Sequence, residues 1–245
     1  MTDSIKILYE KYFLRRRKAW GLVLLFGVYF ALRLYRLGYH DLWYDEVGTL
    51  LYTRLPWINK NAPAYWFFLH FWTKLFGLSE FSLRFPSLIF SFLAVIFTYL
   101  LGAKIFARKV GIIASLLIGL SPFHLWYAQE ARDYSMVLFF GTASSYFLFR
   151  AIKERHLVPW LLFLAASVGG FYTNYFYIFL FAAHFLLVIG VKRSQIKFWE
   201  VLCFLAVVAC FTPYLPKFFD KFQAVSEGFW VASPTWRSLA ITLEN

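Results

Sequence analysis

Seven long apolar segments alternate with short charged or polar stretches along the 245-residue chain. Each segment has close to the ~20 residues that a helix needs to cross a bilayer. The segments lie near residues 19–37, 85–106, 110–126, 134–152, 157–174, 175–191 and 196–214. This pattern predicts an all-α integral membrane protein with about seven transmembrane helices.

The longest connection between apolar segments, residues 38–84, carries two shorter amphipathic stretches. In the first, residues 41–55, polar side chains recur every four positions, which is the spacing of one helix face. The second, residues 63–76, has about 14 residues and is too short to cross a bilayer. We therefore expect two interfacial helices here, which form a ledge on the membrane surface.

Composition and charge support a membrane protein and orient it. With 61% hydrophobic and 16% charged residues, the chain has too few charges to cover a soluble domain. Of its 25 cations, 15 lie in the amino-terminal segment or in the connections after the second, fourth and sixth apolar segments. By the positive-inside rule these parts are cytoplasmic. The net charge of +12 is therefore a topology signal and does not indicate a nucleic-acid partner.

This orientation predicts a multi-pass protein of the plasma (inner) membrane with a cytoplasmic amino terminus. Residues 1–18 are a basic cytoplasmic segment, and residues 19–214 are the seven-span module with its ledge at 38–84. Residues 215–245 are an extracytoplasmic tail. Two acidic sequences fall in extracytoplasmic loops, around residues 45 and 130.

The first acidic sequence is the pair Asp45-Glu46, which follows Trp43 and Tyr44 on the predicted ledge. An isolated acidic pair in a loop is usually a solvated surface feature. Beside lipid and aromatic rings, burial raises a carboxyl pKa and makes the group a better base near neutral pH. The residues alone leave both interpretations open.

The second acidic sequence contains Glu130 and Arg132 and follows the third apolar segment. A surface ion pair between them would contribute less than about 1 kcal/mol, but ionisable groups at a membrane often mark a site. The carboxylates of Asp45 and Glu130 could hold magnesium or manganese, which take oxygen ligands. Two acidic clusters on one face, each near a cation, suit acid–base work on an anionic substrate.

These residues stand in an order that is found in a known family. The motifs are Trp43-Tyr44-Asp45-Glu46, Pro63-x-Tyr65-Trp66, Phe76-Gly77-x-Ser79-Glu80, Arg84-x-Pro86-Ser87, Ser121-Pro122 and Gln129-Glu130-Ala131-Arg132-x-Tyr134. In them the chain resembles GT-C superfamily glycosyltransferases of the protein O-mannosyltransferase and aminoarabinose transferase type. Family members usually run to about twice this length, so we expect the chain to correspond to their amino-terminal half.

The resemblance implies a GT-C module of seven spans that takes its donor sugar from a polyprenyl phosphate. The acceptor would be a hydroxyl of a lipid, glycan or protein, and the anomeric centre would be inverted. Asp45 would be the catalytic base, and Glu130 would bind a divalent cation or orient the acceptor. The supporting residues of the acidic site would be Glu46, Gln129 and Tyr134. The donor phosphate would be held by Lys60, Arg84 and Arg132.

Two other functions stay open on the sequence. A lipid carrier or transporter without covalent chemistry would use the same apolar surfaces and cations, but it would place charges deep within its spans. Arg33 and Arg36 lie near the end of the first apolar segment, where we expect them to snorkel to the interface. An inactive scaffold subunit of a glycosylation complex is the other possibility.

Overall fold

The structure, a computed structural model, describes residues 20–54, 63–154, 156–192, 196–227 and 235. These residues form helices and connecting turns, with no strand among them. In chain order the helices are α1 (Trp20–Leu34), α2 (Tyr44–Arg54), α3 (Ala64–Phe76), α4 (Glu80–Ile105), α5 (Arg108–Gly119), α6 (Pro122–Ala128), α7 (Tyr134–Glu154), α8 (Leu157–Thr173), α9 (Tyr177–Lys192), α10 (Phe198–Phe211) and α11 (Leu215–Glu227). A 3-10 turn, Thr212–Tyr214, joins α10 to α11.

The chain is an all-helical membrane protein. Among the described residues, three helical stretches are long and apolar enough to cross a membrane: Glu80–Ile105, Tyr134–Glu154 and Phe198–Asp220. The pair α5 and α6 makes a fourth if it counts as one span, and α1, α8 and α9 are shorter apolar helices. Large apolar side chains such as Leu117, which is 72% exposed, cover these helices. Such a surface is suited to lipid.

The third apolar segment is bent. We expected one continuous stretch over 110–126, but α5 ends at Gly119 and α6 leaves it at 65°. The side chain of Ser121 caps α6 by accepting a hydrogen bond from the backbone N–H of His124, and Pro122 occupies the first turn, where no N–H is needed. The apolar segment predicted near 110–126 is therefore present as two helices with a bend between them, and the Ser-Pro sequence is the local reason for the bend.

Helix α3 is attached to α4 at a backbone carbonyl that a proline of α4 leaves without a partner. Pro86 lies inside α4 and has no N–H, so the carbonyl of Ser82 loses its partner within the helix. The indole N–H of Trp72 in α3 donates to that carbonyl at 2.9 Å. Gly77, with φ of +81°, makes the turn between α3 and α4. The two predicted amphipathic stretches thus form helices α2 and α3, and α3 is attached to α4.

The centre of the bundle is the contact of α4 with α7, with α5 packed on α4 and α8 packed on α7. Small residues let the chains approach closely. A Cβ on Gly111 of α5 would lie 2.5 Å from the carbonyl oxygen of Tyr99, and one on Gly119 would lie 2.8 Å from the ring of Tyr29 in α1. The close approach of Tyr29 brings the end of α5 against α1.

The second half of the chain follows the predicted segments closely. The break that we expected at Thr173 and Asn174 separates α8 from α9. The last segment continues further than expected, because residues 215–227 of the predicted tail form α11. A buried aromatic cluster that includes Phe163, Phe204 and Phe211 packs these helices together.

Candidate functional site

The two acidic sequences, which are separated by more than 80 positions, meet in the fold. The backbone N–H of Ala131 donates to Oε1 of Glu46 at 2.8 Å. Nη2 of Arg132 lies 3.8 Å from Oδ2 of Asp45, and Nη1 donates to the Asp45 backbone carbonyl at 3.4 Å. The start of α2 and the loop between α6 and α7 therefore form one site, which we call the acidic cluster: Asp45, Glu46, Arg84, Glu130 and Arg132.

Glu46 and Arg84 form a two-pronged ion pair inside this cluster. Nε of Arg84 donates to Oε1 at 2.8 Å, and Nη2 donates to Oε2 at 2.6 Å. The side chain of Glu46 is 0% exposed, and that of Arg84 is 6% exposed. Oε2 of Glu46 also accepts from the backbone N–H of Trp43 at 3.3 Å. Both carboxylate oxygens of Glu46 are therefore occupied by protein donors.

The remaining N–H groups of Arg84 bind the loop between α1 and α2. They donate to the backbone carbonyls of Leu37, His40 and Asp41 at 3.2, 2.8 and 3.0 Å. All five N–H groups of this guanidinium are thus used by the protein. In this arrangement Arg84 has no free donor for the phosphate that we assigned to it. Its geometry makes it a positioning residue that joins the loop to Glu46.

Asp45 is in a different situation from its neighbour. It lies in the first turn of α2, and its side chain is 37% exposed. Among the described residues its carboxylate accepts no hydrogen bond, and the guanidinium of Arg132 at 3.8 Å is its ion-pair partner. The carboxylate of Asp45 is therefore open to an incoming group, whereas that of Glu46 is not.

Glu130 is buried and only half satisfied. The residue is 6% exposed, and its Oε1 accepts a hydrogen bond from the indole N–H of Trp126 at 2.5 Å. Its Oε2 is buried and has no partner among the described residues, and the same is true of Nε of Arg132. Burial raises the pKa of Glu130. A buried acceptor and a buried donor are thus left for a molecule that enters the cluster.

The remaining predicted site residues are Gln129, Tyr134 and Lys60, and the structure describes the first two. The side-chain amide of Gln129 donates to the carbonyls of Arg33 and Tyr35 at 3.0 and 2.8 Å, so it holds the loop on the end of α1. The hydroxyl of Tyr134 accepts from Nη2 of Arg132 at 3.4 Å, and its ring lies 5.5 Å from that guanidinium. Lys60 lies outside the described residues.

Sequence reasoning missed a further buried carboxylate, that of Asp133, in addition to the buried Glu46 and Glu130. Asp133 is 5% exposed, and its Oδ2 accepts from the side-chain amide of Asn174 at 2.9 Å. Burial raises the pKa of Asp133. Its place directly after Arg132 was one available signal. The other signal was Asn174, because it is a polar residue between two apolar segments and needs a polar partner.

Arg33 corrects a further expectation. It does not snorkel to the interface: it is 0% exposed, and its guanidinium bonds to protein groups of α1, α4, α5 and α6. A charge inside an apolar segment is itself a signal of a buried polar contact. Arg33 is the next-to-last residue of α1, so its charge lies near the end of the helix and is enclosed by protein groups.

Comparison with known proteins gives a family match. A family model described as dolichyl-phosphate-mannose-protein mannosyltransferase matches residues 60–216. A curated protein of Aquifex aeolicus (strain VF5), described as an uncharacterized protein, is 26% identical over 153 residues. The match covers 55% of this chain and 30% of that protein, so the chain spans less than a third of the relative's length. No solved structure matches the chain.

Proposed function

Because the chain belongs to the dolichyl-phosphate-mannose-protein mannosyltransferase family, we propose that it is a GT-C membrane glycosyltransferase. It transfers a sugar from a polyprenyl phosphate to a hydroxyl of a lipid, glycan or protein acceptor. The observation that carries the proposal is the meeting of Asp45, Glu130 and Arg132 in one cluster. Two carboxylates and a guanidinium in one place suit a reaction that moves a proton and releases a phosphate.

Asp45 is the general base in this proposal. Its open carboxylate takes the proton of the acceptor hydroxyl while the acceptor oxygen forms a bond to the anomeric carbon. The bond between that carbon and the phosphate oxygen breaks on the opposite side. The configuration of the anomeric carbon is therefore inverted, and polyprenyl phosphate leaves. A positioned base typically contributes 10²- to 10⁴-fold to such a step.

Arg132 stabilises the leaving phosphate. Its guanidinium lies beside Asp45 and stacks on Tyr134, and its Nε has no partner among the described residues. Fixed positive charge at the departing oxygen lowers the barrier because the dianion develops there. Lys60 stays a candidate for the same phosphate, while Arg84 acts indirectly by holding Glu46 and the preceding loop.

Glu130 binds the acceptor or a divalent cation. Its unpartnered Oε2 can accept a hydrogen bond from a sugar or acceptor hydroxyl. Asp45 and Glu130 also offer the oxygen ligands that magnesium or manganese prefer. The described residues contain no group of three or more His, Cys, Asp or Glu that could hold a metal ion. The remaining ligands would therefore come from water and the single donor phosphate, and the ion would neutralise phosphate charge.

The proposal includes the membrane arrangement. Seven spans with a cytoplasmic amino terminus place the acidic cluster at the extracytoplasmic face of the inner membrane, with α2 and α3 as interfacial ledge helices. The short apolar helices α1, α8 and α9 then cross the bilayer where it is locally thinned. A polyprenyl donor reaches such a site from within the bilayer.

The test is sugar transfer by the protein as expressed from its own gene and reconstituted in liposomes. Labelled polyprenyl-phosphate mannose and polyprenyl-phosphate aminoarabinose are supplied with native lipid, glycan and protein acceptors. We expect Asp45→Asn to lower kcat by about 100-fold or more. Asp220→Asn, the same change at an exposed position on α11, is the matched control and should transfer at the parental rate.

Two results would contradict the proposal. Equal transfer by Asp45→Asn and the parent would exclude Asp45 as the base. No transfer by the parent from either donor, or from donors with other sugars, would exclude the glycosyltransferase function itself.

A further inference from the structure

A buried guanidinium on α1 contacts both helices, α5 and α6, that precede the loop carrying Glu130. Arg33 is fully buried, and its Nε donates to Oγ of Ser91 in α4 at 2.8 Å. Its Nη1 donates to the carbonyl of Gly119, the last residue of α5, at 3.2 Å. The C-terminal carbonyls of a helix carry partial negative charge. The positive charge of Arg33 is therefore stabilised in part by the carbonyl at the end of α5, where the chain bends into α6.

Arg33 also holds the beginning of α6. Its Nη2 lies 2.9 Å from Nδ1 of His124, which is in the first turn of α6. A guanidinium can only donate, so Nδ1 is the acceptor in this contact. The same Nδ1 lies 3.1 Å from the backbone carbonyl oxygen of Ile118 in α5, which can only accept. Nε2 lies 3.2 Å from Oγ of Ser91. Arg33, Ser91 and His124 thus form a closed triangle of hydrogen bonds between three helices.

The same turn of α1 holds the end of α6. The side-chain amide of Gln129, directly after α6, donates to the backbone carbonyl of Arg33 at 3.0 Å and to that of Tyr35 at 2.8 Å. The short helix α6 is therefore attached at both ends to one residue of α1. Glu130 is the next residue after this attachment, and Arg132 follows two positions later.

We propose that Arg33 is a positioning residue for the acidic cluster: through His124 and Gln129 it sets where α6 places Glu130 and Arg132 relative to Asp45. This inference rests on the proposed function. Glu46 fixes the loop from the other side by binding the N–H of Ala131. A loop fixed from two sides holds its reacting groups in register, and displacement by about 1 Å can cost about 100-fold in rate.

The experiment compares two buried histidines. His124→Leu breaks the triangle, and Arg33→Met and Gln129→Leu break the two attachments separately. His184→Leu is the matched control, because His184 is 5% exposed against 6% for His124 and also bonds to a serine, Ser145, at 2.9 Å. His184 lies in α9, away from α6.

Two readouts are taken on each reconstituted variant. The first is the distance distribution between spin labels at Tyr44→Cys in α2 and Phe123→Cys in α6, both exposed positions, in a protein with Cys203 and Cys210 replaced by alanine. The second is sugar transfer, with kcat and the donor KM measured separately. The distances are measured well below the melting temperature of each variant, where it is folded, so that a loss of stability alone does not change them.

We expect His124→Leu to broaden or shift the distance distribution and to lower kcat by about 100-fold with little change in KM. His184→Leu should lower the melting temperature and leave both readouts at their parental values. An unchanged distance and rate in His124→Leu, or equal effects of the two histidine variants, would overturn the proposal. If the parent transfers no sugar, the glycosyltransferase function fails, and the distance readout still decides the role of Arg33.

Discussion

An ion pair lies near each end of α4, and the two pairs differ in their surroundings: the first joins α4 to α2, and the second joins it to α7. Near the start of α4, Arg84 binds Glu46 through two hydrogen bonds, of 2.6 and 2.8 Å, with both side chains buried. At the far end of α7, Arg150 binds Glu154 at 2.7 and 3.0 Å, and Lys104 of α4 joins them at 2.8 Å. The second group is partly exposed.

The difference shows that similar hydrogen-bond geometry does not imply a similar role. The buried pair also binds backbone groups of two loops, so its removal would release the segments that carry Asp45 and Glu130. The exposed group joins side chains of two helix ends in reach of water and counterions, which screen it. Burial and the additional backbone contacts distinguish the pair that organises the candidate site.

The strongest test of this comparison is Glu46→Gln. The substitution removes the countercharge of a buried guanidinium, and breaking a buried pair typically costs about 3–5 kcal/mol. We expect a large fall in thermal stability in detergent, accompanied by loss of sugar transfer. Unfolding is followed by the melting temperature of the purified protein. A variant as stable as the parent would show that the buried pair does not organise the loops.

A smaller effect is expected for Glu130→Gln, and it depends on pH. Burial raises the pKa of Glu130, so the folded state binds this proton more tightly than the unfolded state. The resulting stability is fully present below the ordinary pKa of 4.5 and is lost as pH rises through the raised value.

The parent should therefore lose stability relative to Glu130→Gln as pH rises above 4.5. The measurement is the melting temperature of both proteins across this range, and their difference isolates Glu130 because Asp133 is present in both. A difference that stays constant with pH would contradict the buried, half-satisfied state of the carboxyl group.

The smallest effect is expected at the other end of the bundle. Glu154→Gln makes the same chemical change as Glu46→Gln, but the carboxylate is partly exposed and screened. Exposed pairs often contribute nothing measurable, so we expect the melting temperature and sugar transfer to stay at the parental values. If Glu154→Gln destabilised the protein as much as Glu46→Gln, burial would not be the property that separates the two pairs.

The apolar segments could be predicted because hydropathy is a local property of the chain. The positions of α4, α7 and α8 and the break at Thr173 and Asn174 agree with the segments read from the sequence. The bend at Ser121 and Pro122 had a local signal, a serine cap followed by a proline, but hydropathy does not record it.

For the candidate site, sequence reasoning named residues, and the structure shows which of the described ones come together. Asp45 and Glu130 lie in one cluster, as the placement of both loops on one face allowed. The residues alone did not distinguish Asp45 from Glu46, because the two carboxylates are adjacent and share the same neighbours in the chain; only the family resemblance assigned the role of base to Asp45. The sequence also led to the expectation that Arg33 reaches the membrane interface, whereas its side chain is buried. Burial of a side chain depends on the helices that surround it.

The sequence by itself determined the helical segments, their membrane character and the family motifs, because these depend on composition, periodicity and order along the chain. Only the tertiary structure decided which carboxylate is closed and which is open. That distinction depends on Arg84 and the N–H of Ala131, which reach Glu46 and leave Asp45 to Arg132. Such partners come from distant segments, and burial makes their hydrogen bonds specific because an unpaired polar group away from water is costly.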